Sequence, residues 1–138
     1  VGLGLCKLLH EEGAQLIVSD VNGANLDRAK ALGASTAAVD AIHAVESDVF
    51  SPNALGAGLN RETIPELGAN IVCGAANNQL ETEEDGQRLR ARGVTYAPDY
   101  VVNAGGIISV SAEYLGESEA AVDARVRAIP GRLARVLA

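Results

Sequence analysis

The sequence predicts an α/β domain built on a parallel sheet with helices packed over both faces. Three observations carry this. Short apolar runs (LIVS, DVF, IVC, VTY) recur along the chain, each of the length and residue type of a strand buried in a parallel sheet. Between them lie amphipathic segments closed by Gly13, Gly33 and Gly93, the residue that most often follows a helix. Several runs end in small or polar residues, at Asp20, Ser51, Gly74 and Pro98, and loops at the carboxyl ends of parallel strands are where such sheets receive ligands.

The elements follow in order. Leu5, Leu8 and Leu9 share one face of a helix that stops at Gly13, and residues 15–19 form a strand. Residues 25–32 read as a second helix, 35–39 as a weak strand and 41–45 as at most a short helix. A strand over 48–50 runs into Pro52, a helical turn covers 63–67, and a strand covers 71–73. Residues 83–92 form a helix, 94–96 a strand, and from Gly106 the chain reads as helical to its end with a break at Pro130. No internal repeat or linker interrupts this pattern.

Composition narrows the function. With one Phe, three Tyr and neither Trp nor Met, the core must be built from Ala, Val, Leu and Ile. A net charge of −7 argues against nucleic acid or an anionic membrane surface as partner. No apolar stretch approaches the roughly 20 residues that a bilayer span requires. Cys6 and Cys73 are too few for a disulfide scaffold or zinc site and read as two packed thiols of a cytoplasmic protein. No cluster of metal ligands is evident. His10 and His43 neighbour no nucleophile and acid that would make a triad. Glu81, Glu83, Glu84 and Asp85 read as a solvated helix start favoured by the helix dipole. The chain begins with Val rather than Met, which fits a fragment or processed product.

The opening VGLGLC raises a dinucleotide fingerprint, G-x-G-x-x-G between a strand and a helix, with an acid about 20 residues further on. Asp20 follows Gly2 by 18 residues and ends an apolar run. That spacing makes Gly2 the last glycine of the fingerprint. The rival assignment, Gly2 and Gly4 as the G-x-G, requires glycine where Lys7 stands. The expectation is therefore a Rossmann-type doubly wound parallel sheet lacking its first strand, with residues 1–138 forming one NAD-binding domain truncated at its N-terminus. Such a sheet would carry a gap or an unnatural pairing, leaving the isolated chain unstable and weak in binding NAD.

Three stretches carry candidate chemistry. Asp20 could accept the ribose hydroxyls of an adenosine and repel a 2′-phosphate, favouring NAD over NADP; read alone it is equally an ordinary turn acid. In GAANNQL, residues 74–80, the small residues would let a ligand approach the backbone, and the paired Asn residues offer amide donors and acceptors without charge; an Asx-turn loop is the plainer reading. Asn103 precedes Ala-Gly-Gly and a helix, and its amide could hold a carboxamide. Ile107 and Val110 share a helix face, as a side-chain pocket or, on spacing alone, as core.

LCKLLHEEGAQLIVSDVN, SPNALG, GAANNQL and YAPDYVVNAGGIISV, in that order, resemble the cofactor-binding domain of the glutamate/leucine/phenylalanine/valine family of amino acid dehydrogenases, nearly end to end and most closely its leucine-type members. The resemblance implies NAD-dependent oxidative deamination of an L-amino acid to a 2-oxo acid and ammonia. It implies that Val1, Gly2 and Leu3 end the pyrophosphate turn, and that Asp20, Val21 and Asn22 form the adenosine-ribose site. Asn53 and Ala54 would lie in the wall near the cofactor; leucine-type relatives commonly carry Cys where Asn53 stands, so the resemblance gives a place for Asn53 rather than a role. Asn77 would reach the nicotinamide ribose and the substrate carboxylate, and Asn103 the carboxamide. Ile107 and Val110 would contact the substrate side chain. Glutamate-specific relatives typically carry Ser at the Val110 position, and Val cannot bond a distal carboxylate, which argues for a branched or otherwise apolar amino acid.

The resemblance also places the catalytic lysines and aspartate in a separate N-terminal domain. No catalytic residue is assigned within this chain, whose Lys7 and Lys30 lie on helices. The full-length protein is expected to be a cytoplasmic homo-oligomer assembled largely through that other domain. Phenylalanine-, valine- or glutamate-type specificity, or a nucleotide-binding module that kept the fold and lost catalysis, remain the competing expectations.

Overall fold

The computed structural model describes all residues, 1–138. Helix α1 (Gly2–Glu11) leads through a turn at Gly13 to β1 (Ile17–Val18), α2 (Gly23–Ala31) and β2 (Ser35–Thr36). A 3-10 turn, Ile42–Ala44, precedes β3 (Ser47–Phe50), α3 (Thr63–Glu66), β4 (Ala69–Val72), α4 (Glu83–Ala91) and β5 (Thr95–Tyr96). Four helices complete the chain: α5 (Asp99–Val102), α6 (Gly105–Leu115), α7 (Glu119–Arg127) and α8 (Ile129–Leu137).

Every strand pairing is parallel, as expected of strands separated by helices. The strands form two sheets, β1-β2 and β3-β4-β5. No ladder joins the two sheets. The start of α1 lies beside the loop after β3: a Cβ built on Gly2 would stand 3.7 Å from that of Asn53, an ordinary contact, whereas one on Gly4 would meet nothing within 4 Å.

The core is confined to one part of the molecule. Phe50, Val72 and Tyr96 stand opposite one another across β3, β4 and β5. With Leu59, Ile64, Leu67, Leu80, Leu89 and Val94 they form one hydrophobic cluster under α3 and α4. Arg92 donates to the carbonyls of Ile64 and Leu67 and so closes the C-terminal end of α3. Because side chains alternate along a strand, Val49 and Ile71 point the other way, and they remain 47% and 40% exposed. Among residues before Leu59, only Ala29 and Ala34 are buried. The accessible surface is 9065 Å², against ~6,800 Å² for a compact monomer of 14.2 kDa. The excess is the surface of the split sheet and of helices that touch no core.

Several elements differ from the sequence reading. β1 and β2 are two residues each and pair only with one another. β4 begins at Ala69 rather than Ile71: Gly68 lies so close to Val45 that a Cβ there would stand 2.5 Å from its carbonyl oxygen, and pairing with β3 starts at once. α5 went unread. The C-terminal run is three helices, not one with a single break. Gly116, at φ +66, ends α6, and Ser118 caps α7 by accepting from the Ala121 N–H at 3.3 Å. Pro130 sits in the first turn of α8, where its missing N–H costs nothing, so the break falls before it at Ala128.

Asp85 is also corrected: it is 1% exposed, not part of a solvated helix start. Its Oδ2 accepts from the Thr82 N–H at 2.8 Å and the Thr82 hydroxyl at 2.7 Å, and its Oδ1 from Arg88 at 2.7 Å. Burial pushes its carboxyl up, but the Thr82 bonds and the Arg88 guanidinium together hold it below the usual range.

Two outcomes follow. Hydrogen exchange of the isolated chain should show α1 and α2 amides exchanging well before those of β4 and α4; uniform protection would contradict the localisation of the core. A carboxyl held low in the fold stabilises it above the unfolded value of about 3.9, and that stability is lost as pH falls through the lower folded value. Asp85→Asn should therefore flatten the acid limb of stability and cost about 1–3 kcal/mol at neutral pH, read by urea unfolding across the acid range. An unchanged acid limb would count against the assignment.

Candidate functional site

The loops after β3, β4 and β5 lie together at the carboxyl ends of their strands. They can do so because two glycines permit backbone to rest on backbone. A Cβ on Gly74 would stand 2.2 Å from the Pro52 carbonyl oxygen, and one on Gly56 would stand 2.7 Å and 2.6 Å from those of Asn77 and Asn78. The expectation that Gly74 makes room for a ligand is thus corrected: Pro52 fills that space. The seam is then laced by hydrogen bonds. Ala76 N–H donates to Pro52 O at 3.0 Å, Ala57 N–H to Asn78 O at 2.7 Å and Leu59 N–H to Gln79 O at 3.0 Å. Ala57 and Asn78, which meet in that seam, both hold positive φ, +59 and +51. Such backbone costs about 1–2 kcal/mol per residue and persists because the neighbouring contacts over-determine it.

Asn53 is a fastener of this seam. Its Nδ2 donates to the Ser51 carbonyl at 2.9 Å and the Ser51 hydroxyl at 3.0 Å, and its Oδ1 accepts from the Ala75 N–H at 3.3 Å. Both amide hydrogens are engaged, so its side chain has no donor left for a ligand.

Gln79 is the residue that sequence reasoning quoted and left without a role. Its side chain is 1% exposed and turned inward, with Nε2 donating to the carbonyls of Gly74 at 2.7 Å and Ala76 at 3.0 Å. Its own N–H donates to Asp99 Oδ2 at 3.0 Å, while Asp99 Oδ1 accepts from the Tyr100 N–H at 2.7 Å. One residue therefore curls the loop after β4 and ties it to the start of α5. Above this tie, Asn103 Nδ2 donates to Asn77 Oδ1 at 2.6 Å, across 26 residues of sequence. The pair leaves exposed Asn77 with two N–H donors and half-buried Asn103 with its carbonyl oxygen and one hydrogen.

The outer surface beyond Asn103 is apolar. Ile107 and Val110 on α6 are 65% and 63% exposed, whereas Ile108 and Ala112 on its opposite face are buried. The core reading of Ile107 and Val110 is thereby corrected; shared spacing fixes that they lie on one face, and packing against α7 decides which face turns inward. Cys73, at the end of β4, is half-buried, and burial pushes its thiol up, so it remains a thiol rather than a nucleophilic thiolate.

Asp20 stands apart from this cluster, at the carboxyl end of β1. Its Oδ1 accepts from the Asn22 N–H at 2.8 Å and its Oδ2 from Asn25 Nδ2 at 2.9 Å. These two bonds, the Asn22 N–H first, hold its carboxyl below the usual range. Asn22 in turn caps α2, its Oδ1 accepting from the Ala24 N–H at 2.9 Å. Val21 beside it is exposed. At α1, Val1 precedes the helix and no side chain caps it, so the N–H groups of Gly2 and Leu3 are open to an anion.

The family model described as Glutamate/Leucine/Phenylalanine/Valine dehydrogenase matches residues 1–130. The chain belongs to this family. It is 47% identical over 137 residues to leucine dehydrogenase of Thermoactinomyces intermedius, covering 99% of this chain and 37% of that protein. It is 50% identical over 121 residues to L-tryptophan dehydrogenase of Nostoc punctiforme, covering 86% of this chain and 34% of that protein. The crystal structure of L-tryptophan dehydrogenase from Nostoc punctiforme superposes with a TM-score of 0.91 at 44% identity, over 94% of this chain and 39% of that one. The chain thus spans a little over a third of the length of its relatives, and its fold is that of an amino acid dehydrogenase with a Rossmann-like domain.

Of the residues singled out from sequence, Asn77 and Asn103 are directly bonded, Asn53 is tied to the loop that carries Asn77, and Gly2 lies against Asn53. Ala54 follows in the same loop, and Ile107 lies one turn beyond Asn103. Asp20, Val21 and Asn22 form a second group. Gln79→Leu should cost about 1–3 kcal/mol in stability and loosen the loop that carries Asn77, read by urea unfolding and by faster exchange of loop amides. Unchanged stability would remove Gln79 from its structural role.

Proposed function

We propose that this chain is the NAD-holding domain of an enzyme that oxidatively deaminates an apolar, leucine-like L-amino acid to its 2-oxo acid and ammonia. The observation that carries the reading is the 2.6 Å bond joining Asn103 to Asn77, which sets two half-free amides at the carboxyl ends of neighbouring parallel strands.

The residues present fit NAD. Each carboxylate oxygen of Asp20 accepts one bond from the protein and has a second acceptor position for a ribose hydroxyl. Its ionised state opposes a 2′-phosphate. The uncapped start of α1, at Val1, Gly2 and Leu3, suits a pyrophosphate. Val21 and Asn22 flank the ribose position, and Ala54 with the backbone at Asn53 walls the cleft. Asn103 Oδ1 is free to accept from a carboxamide and so fix its orientation, while Asn77 Nδ2 can donate to a ribose hydroxyl or the substrate carboxylate. When bound, NAD supplies the hydride acceptor.

Ile107 and Val110 present hydrocarbon to the substrate side chain. A distal carboxylate set against Val110 would lose hydration with no bond in return, which supports leucine-type over glutamate-type specificity. The relatives named for leucine and for tryptophan are both named for apolar substrates. The proton-transferring lysines would come from the rest of the protein, whose added surface would cover the split sheet and the exposed face of α6, and through which copies would assemble. No helix is long and apolar enough to cross a membrane, which suits a cytoplasmic enzyme.

The full-length protein should reduce NAD with leucine or valine far better than with glutamate. Val110→Ser should lower kcat/KM for leucine by about 10- to 100-fold. Preference for glutamate, or an indifferent Val110→Ser, would sink the proposal.

A further inference from the structure

Asp20 lies two residues beyond the short strand β1 and is half-buried at the turn into α2. Nothing in the strand ladder holds its side chain; two donors do. The Asn22 N–H takes Oδ1 at 2.8 Å, and Asn25 Nδ2, from the first turn of α2, takes Oδ2 at 2.9 Å. With one donor per oxygen the carboxylate cannot rotate without breaking a bond. One acceptor position remains on each oxygen, which matches the two adjacent hydroxyls of a ribose. A carboxylate so fixed also cannot turn away from a phosphate placed on the 2′ oxygen.

We infer that Asn25 is a positioning residue for cofactor choice, acting through Asp20 to select a dinucleotide with a free ribose diol against its 2′-phosphorylated counterpart. The inference rests on reading Asp20 as the ribose acceptor. Asn25 itself touches no cofactor; it decides whether the Asp20 carboxylate is held or free to swing. Without its amide, Asp20 keeps only the Asn22 bond, loses grip on the diol and yields to a 2′-phosphate.

The test is the dissociation constants of NAD and NADP for the full-length protein, titrated by calorimetry, in wild type, Asn25→Leu, Asn25→Ser and Asp20→Asn. Leu removes the donor at similar size. Ser keeps a small polar residue at the helix start and stands in should Leu prevent folding. Asn25→Leu or Asn25→Ser should weaken NAD by about tenfold, the low end for one charge-assisted bond, with NADP unchanged or tighter, so that the preference falls by about tenfold or more. The KM for amino acid should not move. If Asp20→Asn loses the preference while both Asn25 variants keep it, the inference fails and the reading of Asp20 stands. If both dinucleotides weaken equally in the Asn25 variants, the role is merely structural and the inference also fails. If Asp20→Asn keeps the wild-type preference, the reading of Asp20 fails and the inference with it.

Discussion

Gly74 rests on Pro52. Any side chain at Gly74 would collide with the Pro52 carbonyl oxygen, 2.2 Å from where a Cβ would stand, and the loop after β4 would be driven off the loop after β3. The arrangement above this contact depends on it. Ala76 can donate to Pro52 only at this separation, Asn53 can reach Ala75, and Gly56 can pass over the carbonyls of Asn77 and Asn78. Once the loop is laid down, Gln79 turns inward and satisfies its carbonyls, which leaves Asn77 facing out toward Asn103. A backbone approach of this kind is all-or-none, because the interior has no room to absorb an added methyl against a carbonyl.

The chemistry that results is nearly free of charge. In a chain of net charge −7, the residues gathered at the ends of β4 and β5 are amides, and the exposed face beyond them is hydrocarbon. Amides donate and accept without the cost of stripping water from an ion. They can therefore meet a carboxylate, a hydroxyl and a carboxamide in one place. Asp99 among them is taken up by the N–H groups of Gln79 and Tyr100, and a second acid, Asp20, stands apart beyond the end of β1. The two groups lie on the two separate sheets.

Much of this was legible in the sequence. Parallel architecture followed from apolar runs divided by helices. Asn77 and Asn103 could be named because GAANNQL places amides just after a strand and NAGG places one just before a helix. What was not legible is what depends on two distant segments meeting. Gly74 looked like room for a ligand until Pro52 was seen to fill it. Asp85 looked solvated because a run of acids hides which member turns inward to Thr82 and Arg88. Ile107 and Val110 looked like core because periodicity gives a face and not its direction. Gln79 carried the faintest signal, the last of three amides before Leu80, and its burial depends on the curl of the loop around it.

The central claim is that Asn77 and Asn103 act as one unit. A double-mutant cycle in the full-length protein tests it most directly, with kcat/KM measured for Asn77→Ala, Asn103→Ala and the pair. If the bond between them sets both amides, the double variant should lose little more than either single one, with a coupling energy of about 1–2 kcal/mol. Losses that simply add would show two independent side chains and contradict it.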